Sequence, residues 1–440
     1  ETSVSLVGAE LATISLTNQQ FGPILMNLLV EETLEGFGPV DFRTLGVREF
    51  GTIYEGLLES ELSVAEVDLV VDTDDRYAPA ENRTPAVHMG EVYLHNASGA
   101  RKATGTYFTK HFAVEHLLDH ALEPALAEHL ERLDKMDDRK AGESFFDFRM
   151  ADIAMGSGHF LIAAADRIER RLSSYLTQRK LPVVTSELQR LRTSAKKELE
   201  KVGLISETYD IEDNLLLRRQ IARRCIYGVD INPIASQLAR LSLWIHTFVP
   251  GLPLSFLDHN IVCGNSLVGI ATFEEVSDLL DISEGGLFAA TAQILIGDAQ
   301  KAIEKLARLS DANAAEIRRA RKAYEEERKA IAPTERMFDI LTAQRMPESE
   351  VAATAEAFKE GNELFLVGEH NKAKEFVRAM PPFHFPIAFP EVFLRDRAGF
   401  DVIVGNPPWE EATLEEDDFW ARYAPGLQSL PQHEQEALKQ

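Results

Sequence analysis

Phe145-Phe146-Asp147-Phe148-Arg149-Met150-Ala151 runs directly into Asp152-Ile153-Ala154-Met155-Gly156-Ser157-Gly158-His159-Phe160, and the fold is read from this stretch. An apolar run of strand length meets a glycine turn, after which Leu161 to Leu172 takes up helical spacing. Strand, Gly-x-Gly turn and helix in that order make the opening βα unit of a doubly wound sheet. Glycine lets the backbone of such a turn pass close to a ligand and aims helix N-terminal amides at it. Purely structural αβ junctions collect glycine as well, so the meaning of the turn depends on the strands downstream of it.

Three more short apolar runs occur, Cys225 to Val229, Asn260 to Cys263 and Phe400 to Val404, each ending in a turn or helix signal. That rhythm predicts an open, mainly parallel α/β sheet. The fold class expected is therefore α/β, a Rossmann-like core over residues 101–440 with long helical insertions at about 172–222 and 271–380. The charged run Leu188 to Val202 and the Ala-, Arg-, Lys- and Glu-rich run Ile303 to Ile331 read as solvated helices or a helical hairpin; a DNA-contacting arm is the sharper alternative. Apolar residues at spacings of three and four predict a helix from Lys110 to Leu133. Residues 1–100 read as a mainly helical N-terminal domain, from Phe21 to Val30 and Val47 to Leu58, with a short strand at Val92-Tyr93-Leu94 and a polar linker from Asn96 to Ala103.

With 440 residues, 45% of them hydrophobic, the chain can bury a large core. It contains no run of 18 or more apolar residues and no charged-then-apolar leader, so neither a membrane span nor a secretory signal is predicted and a cytoplasmic location is expected. Cys225 and Cys263 lie in apolar runs without a ligand-spaced partner, which predicts two core thiols, no disulfide and no metal site. The net charge of -25 runs against a phosphate-binding surface. The charge is uneven, however: residues 1–80 hold 15 Asp or Glu against 3 Arg, whereas Arg167 to Arg171 and Arg218 to Arg224 are locally basic.

Tyr227-Gly228-Val229-Asp230-Ile231-Asn232-Pro233 ends the second strand on a carboxylate, the position from which doubly wound folds bind ribose hydroxyls. An alternative role for Asp230 is to cap the helix Ala235 to Phe248, which Pro233 would start. The third strand ends at Cys263-Gly264-Asn265-Ser266-Leu267, where the Asn265 amide could read a cofactor adenine. Upstream, Gly105-Thr106-Tyr107-Phe108-Thr109 offers hydroxyl and backbone donors for a carboxylate and aromatic surface beside a sulfonium. The candidate cofactor residues are thus Thr106, Tyr107, Phe108, Thr109, Asp152, Ala154, Gly156, Gly158, Phe160, Asp230, Ile231, Asn265 and Ser266.

Phe400 to Gly405 runs straight into Asn406-Pro407-Pro408-Trp409. Two prolines after Asn fix an extended loop whose carbonyls have no competing N–H donors. An exocyclic amine is a poor nucleophile because its lone pair is delocalised into the ring. The Asn406 side-chain oxygen and the Pro407 carbonyl can each accept one N–H, favouring a tetrahedral nitrogen and the positive charge that develops on it. Trp409 offers a face for a flipped base, a contact worth about 1–3 kcal/mol. Asn406, Pro407, Pro408 and Trp409 are the candidate catalytic residues.

In this order the elements resemble the gamma-class adenine-N6 DNA methyltransferases, over about residues 101–270 and 380–412. Phe383-His384-Phe385-Pro386 and Phe389-Pro390-Glu391-Val392-Phe393, with Asn265-Ser266-Leu267, are similar to the large methylases of type IIG restriction enzymes and of DISARM- or BREX-like phage defence. The resemblance implies S-adenosylmethionine as methyl donor and a flipped adenine in double-stranded DNA as acceptor. Other subunits of a defence or restriction complex are further candidate partners. It also implies strands after the catalytic loop and a target-recognition region, which the 31 residues beyond Trp409 are too few to supply; a longer native polypeptide is expected, with its basic DNA-reading surface elsewhere. The chain departs from the family in having Asp152-Ile153-Ala154 for the commoner Asp-Pro-Ala, Asn265 where Asp is frequent, and Trp409 in place of Tyr or Phe. The Glu-x-Lys string Glu327-Arg328-Lys329 lies in a charged helical run and reads as a solvated face rather than a nuclease centre. Methylation of RNA or of a protein glutamine amide is the alternative activity, and a non-catalytic cofactor-binding subunit of a defence complex the alternative class.

Overall fold

A computed structural model describes residues 13–33, 36–40, 60–71, 77–80, 83–96, 111–201, 203, 211–279, 312–346, 349–351, 363–378 and 380–406. They fall into two compact units, one of residues 1–57 and 108–405 and a smaller one of residues 58–107 and 406–440.

In the larger unit, α1 (Asn18–Leu29) starts at a capping box: the Thr17 hydroxyl accepts from the Gln20 amide and the Gln20 side chain accepts from the Thr17 amide. It leads into the hairpin of β1 (Val30–Thr33) and β2 (Gly36–Pro39). The smaller unit pairs β3 (Ser60–Val64) with a later strand, Val92–Asn96, and β4 (Leu69–Val71) with β5 (Tyr77–Pro79); Val92–Asn96 is β6. Among the described residues of 1–100, Asn18–Leu29 is helical, in line with the helix expected from Phe21 to Val30, and six short strands accompany it, the last of them containing the expected Val92-Tyr93-Leu94 strand. Apolar residues in β3 and β6 alternate with period two, and the register sets Leu62 opposite Leu94 and Val64 opposite Val92. Residues 47–58 lie outside the described residues.

The core of the larger unit begins with α2 (His111–Leu117), a π-helical turn at Leu118–Leu122 and α3 (Glu123–Asp134). Val114, Leu118, Leu122, Leu126 and Leu133 are fully buried along one face, as the spacing predicted. After α4 (Asp138–Ser144), β7 (Met150–Asp152) enters the sheet. The glycine turn opens α5 (His159–Gln178), the helix of the first βα unit, and the described part of the first insertion adds α6 (Pro182–Lys201) and α7 (Asp213–Arg224). The insertion is less solvated than its charge suggested, because Val184, Leu188, Leu191, Ala195 and Leu199 of α6 form a buried stripe that joins the main core.

β8 (Ile226–Asp230), α8 (Pro233–His246) and β9 (Ile261–Cys263) complete the next βαβ unit. Beyond α9 (Phe273–Leu279), the 31-residue α10 (Ala314–Gln344) packs on α11 (Glu363–Val377). Ile331, Phe338, Ile340 and Leu341 of α10 make a second core with Ala373 and Val377, so only part of this insertion is a solvated face. Two single-turn helices, α12 (Phe385–Ala388) and α13 (Pro390–Phe393), precede β10 (Val402–Val404).

The four central strands lie in the order β10-β7-β8-β9, all parallel. The chain moves from β7 through β8 to β9 on one side and returns with β10 on the other, so β7 is the topological switch point, outside whose carboxyl end open α/β sheets bind ligands. The return is held by the Asp401 carboxylate, 3% exposed, which accepts from the Arg149 amide and from Arg395, both at 2.8 Å. Phe389 is fully buried between the rings of Tyr227, Phe383 and Phe400, with centroids 5.2, 5.7 and 5.8 Å away. The Phe- and Pro-rich strings before β10 therefore fasten the returning segment to β8. Cys225 is buried, but Cys263 is exposed, a correction to the expected core thiol: it is the last residue of an edge strand. Among the described residues no helix is long and apolar enough to cross a membrane, and no cluster of three or more His, Cys, Asp or Glu is placed to hold a metal.

Candidate active site at the carboxyl ends of the strands

β7, β8, β9 and β10 all end on one edge of the sheet. Asp152 is in register with Gly228 and Val404, and Asp230 with Cys263. Parallel pairing therefore brings Asp152, Asp230, Gly264-Asn265-Ser266 and Gly405 to the same edge, although the chain from the first to the last of them is some 250 residues long.

The turn after β7 is built as its glycines suggested. Gly156 and Gly158 have φ of 54° and 88°, left-handed values that side chains rarely adopt. Gly158 is the N-cap of α5, where a Cβ would stand 3.2 Å from that of Ala239. Below it Gly228 leaves room for Met155, whose Sδ would be 2.3 Å from an added Cβ. The Ala154 amide donates to Asp152 Oδ1 at 3.0 Å. Phe160, the second residue of α5, is buried with its ring in the main core.

Asp152 is fully buried and its Oδ2 has no hydrogen-bond partner among the described residues. Burial, with the Asp230 charge adding to it, pushes its carboxyl up to about 7. An orphaned buried carboxylate oxygen beside a glycine turn fits a site completed by a polar, cationic ligand group. A Cβ on Gly405 would lie 3.5 Å from Asp152 Oδ1, which places the end of β10 over this carboxylate.

Asp230 accepts from the Gly156 amide through Oδ2 and from the Asn232 amide through Oδ1, each at 2.8 Å. Burial raises its carboxyl as well, against these two donors. It does not cap α8: that role belongs to Asn232, whose side chain accepts from the Ile234 and Ala235 amides. Ile231, next in the chain, is 62% exposed, an apolar surface at the rim beside the carboxylate.

The Asn265 side-chain oxygen accepts from the Leu267 amide at 3.1 Å, and the Ser266 hydroxyl donates to the Ile153 carbonyl at 2.7 Å, tying this turn to the one after β7. Ile231 and Asn265 line a cavity of about 470 Å³ with Phe383, Ile387 and, from α10, Tyr324, Arg328 and Glu335. That size suits a nucleoside. Gly264 is essential to its floor, because a Cβ there would fall 2.2 Å from the Phe383 ring. The α10 residues carry no local motif. Positions 324, 328 and 335 share one helical face, a spacing that a solvated helix shows equally well.

Asn406 comes directly after Gly405 at the end of β10. Pro407, Pro408 and Trp409, with Thr106, Tyr107, Phe108 and Thr109, lie outside the described residues. Glu327-Arg328-Lys329 is helical, and Arg328 pairs with Glu335 at 2.8 Å.

Residues 224–428 match the family model of the Eco57I restriction-modification methylase. The chain is also 26% identical over 377 residues to a protein of Methanocaldococcus jannaschii named as a putative type II restriction enzyme and methyltransferase. The matched region is 71% of this chain but 28% of that protein. No solved structure matches significantly. Strands β8 to β10, the α10 insertion and the Asn-Pro-Pro-Trp string all lie within the matched residues, so the similarity to a restriction-modification methylase covers most of the candidate site.

Proposed function

We propose that this chain is the catalytic part of an adenine-N6 DNA methyltransferase that uses S-adenosylmethionine and acts in a restriction-modification or phage-defence system. The observation that carries this reading is the convergence of Asp152, Asp230, Asn265 and Gly405, the residue before Asn406, on one edge of the parallel sheet.

S-adenosylmethionine supplies an electrophilic methyl group on a sulfonium. Asp152, with its orphaned oxygen, sits where a cationic ammonium would be held, and Asp230 where ribose hydroxyls would donate. Ile231, Asn265 and Ser266 flank the adenosine end. The glycine turn lets backbone approach without a Cβ in the way, with Gly156 and Gly158 both left-handed. The Asn406 side-chain oxygen and the Pro407 carbonyl each accept one N–H of an exocyclic amine, so that its lone pair points away from the ring plane. The nitrogen then gives up one proton to solvent, and no strong base is needed beforehand. Trp409 provides the stacking face for a base turned out of the duplex. Double-stranded DNA is the partner this chemistry calls for, with other subunits of a restriction or defence complex as further candidates.

Transfer of tritium from labelled S-adenosylmethionine to DNA, RNA and protein, run in parallel with the full-length protein, tests the reading. Label in DNA, recovered as N6-methyladenine, is expected. Label confined to RNA or protein would overturn it.

A further inference from the structure

The cavity beside Asp230 has two walls of different origin. One is the sheet edge, with Ile231, Val262, Gly264 and Asn265; the other includes Tyr324, Arg328 and Glu335 from the α10 insertion, which takes no part in the sheet. Arg328 and Glu335 are the only Arg, Lys, Asp or Glu among its described lining. Their ion pair, 2.8 Å long, is about one-third exposed on each side (35% and 37%), so it is neither locked in a core nor dissolved in bulk water. Arg328 is steadied by a 3.5 Å contact to the Ile387 carbonyl. The Tyr324 ring meets that of Phe256 edge-on at 5.7 Å, which anchors this part of α10 to the segment before β9. His384 also lines the cavity, but both of its ring nitrogens are engaged: Nδ1 accepts from the Ile270 amide at 3.1 Å and Nε2 meets Asp339 at 3.1 Å. A nucleobase in this cavity would therefore find its charged partners on α10.

Resting on the cofactor reading proposed for this site, we infer that the α10 insertion is the base-reading wall of the cofactor site, with Glu335 accepting from the exocyclic amine of the cofactor's adenine and Arg328 holding Glu335 in place. The pair suits a 6-amino purine, which presents a donor to the carboxylate. A 6-oxo purine presents an acceptor there and is repelled. The insertion thus selects the exocyclic group of the base, while the sheet edge holds the sugar and the amino-acid end and flanks the base with Asn265.

Equilibrium binding of S-adenosylhomocysteine and of its 6-oxo counterpart, S-inosylhomocysteine, to the full-length protein separates the possibilities. Wild type is expected to prefer the amino form by about tenfold or more. Glu335→Gln, whose amide can either accept or donate, is expected to narrow that preference by about tenfold with an unchanged circular dichroism spectrum. As a second measurement on the unmodified protein, an 8-azidoadenosyl photoaffinity analogue should label peptides within residues 314–344. An unchanged preference in Glu335→Gln, or label falling only outside α10, overturns the inference while leaving the cofactor reading intact. Failure of wild type to bind S-adenosylhomocysteine overturns both.

Discussion

The Gly156 amide donates to the Asp230 carboxylate at 2.8 Å, joining the turn after β7 to the end of β8 across 74 positions of chain. The bond explains why neither element is sufficient alone. The glycine turn is given its shape by a carboxylate from the next strand, and that carboxylate is aimed by two backbone amides rather than by a cation.

Asp230→Ala should weaken S-adenosylhomocysteine binding by at least about tenfold and destabilise the fold by about 1–3 kcal/mol, because two backbone donors lose their acceptor. Asp230→Asn keeps an acceptor oxygen and should recover most of the stability but not the affinity. Calorimetric titration beside urea unfolding distinguishes the two effects; equal loss of affinity and stability in both variants would assign Asp230 a purely structural role.

Asn406→Ala should lower kcat for methyl transfer by about 10²- to 10³-fold, the usual cost of removing one preorganised group that stabilises developing charge. Cofactor affinity should stay within about twofold, since Asp152 and Asp230, not Asn406, supply the candidate ligand contacts. Single-turnover kinetics with labelled cofactor measure the first quantity and equilibrium dialysis the second.

Asp152 makes stability fall as pH rises. Its carboxyl moves from 3.8 in the unfolded chain to about 7 in the fold, so the folded state keeps a proton that the unfolded state releases between those values. Its contribution is complete below the lower value and lost by the upper one. Asp152→Asn removes this dependence, and the variant should gain on wild type from about pH 4 to about pH 7, by at most about 4 kcal/mol. Chemical denaturation of both proteins across that range would show the gap widening; a constant gap would contradict the burial argument.

Gly269→Ala should unfasten the loop after β9 from the Phe383 segment. Gly269 has φ of 135°, and a Cβ there would be 2.3 Å from the Phe383 carbonyl oxygen, a backbone atom that cannot swing aside. A cost of about 1–3 kcal/mol is expected, read as a lower denaturant midpoint.

Phe389→Ala tests the fastening itself. Truncating a fully buried ring among Tyr227, Phe383 and Phe400 should cost about 3–5 kcal/mol. Limited proteolysis should then cut first between residues 380 and 400, and a cut elsewhere would show that the cluster does not hold this segment.

Much of the site is legible locally because its chemistry is written in residues adjacent in the chain. A glycine turn after a strand, a carboxylate at a strand end and Asn-Pro-Pro-aromatic after another strand each occupy a few positions, and their backbone demands are local. Parallel strands followed by helices are equally legible, since the apolar runs at 225–229, 260–263 and 400–404 are short and bounded by turns. The ladder of β3 and β6 was less legible, because its cross-strand partners lie some thirty positions apart, whereas the helical spacing at Phe21 to Val30 is local.

By itself, then, the sequence determined the order of strands and turns and the types of the candidate groups at the strand ends, because propensity and turn chemistry act over a few residues. Only the tertiary structure decided that Asp230 is oriented by Gly156 and not used as a helix cap, that the Phe160 ring faces the core, and that α10 lines a cavity next to Ile231 and Asn265. Each of these depends on which distant segment packs against which face, and the free energy of that packing belongs to pairs of residues that no local pattern connects.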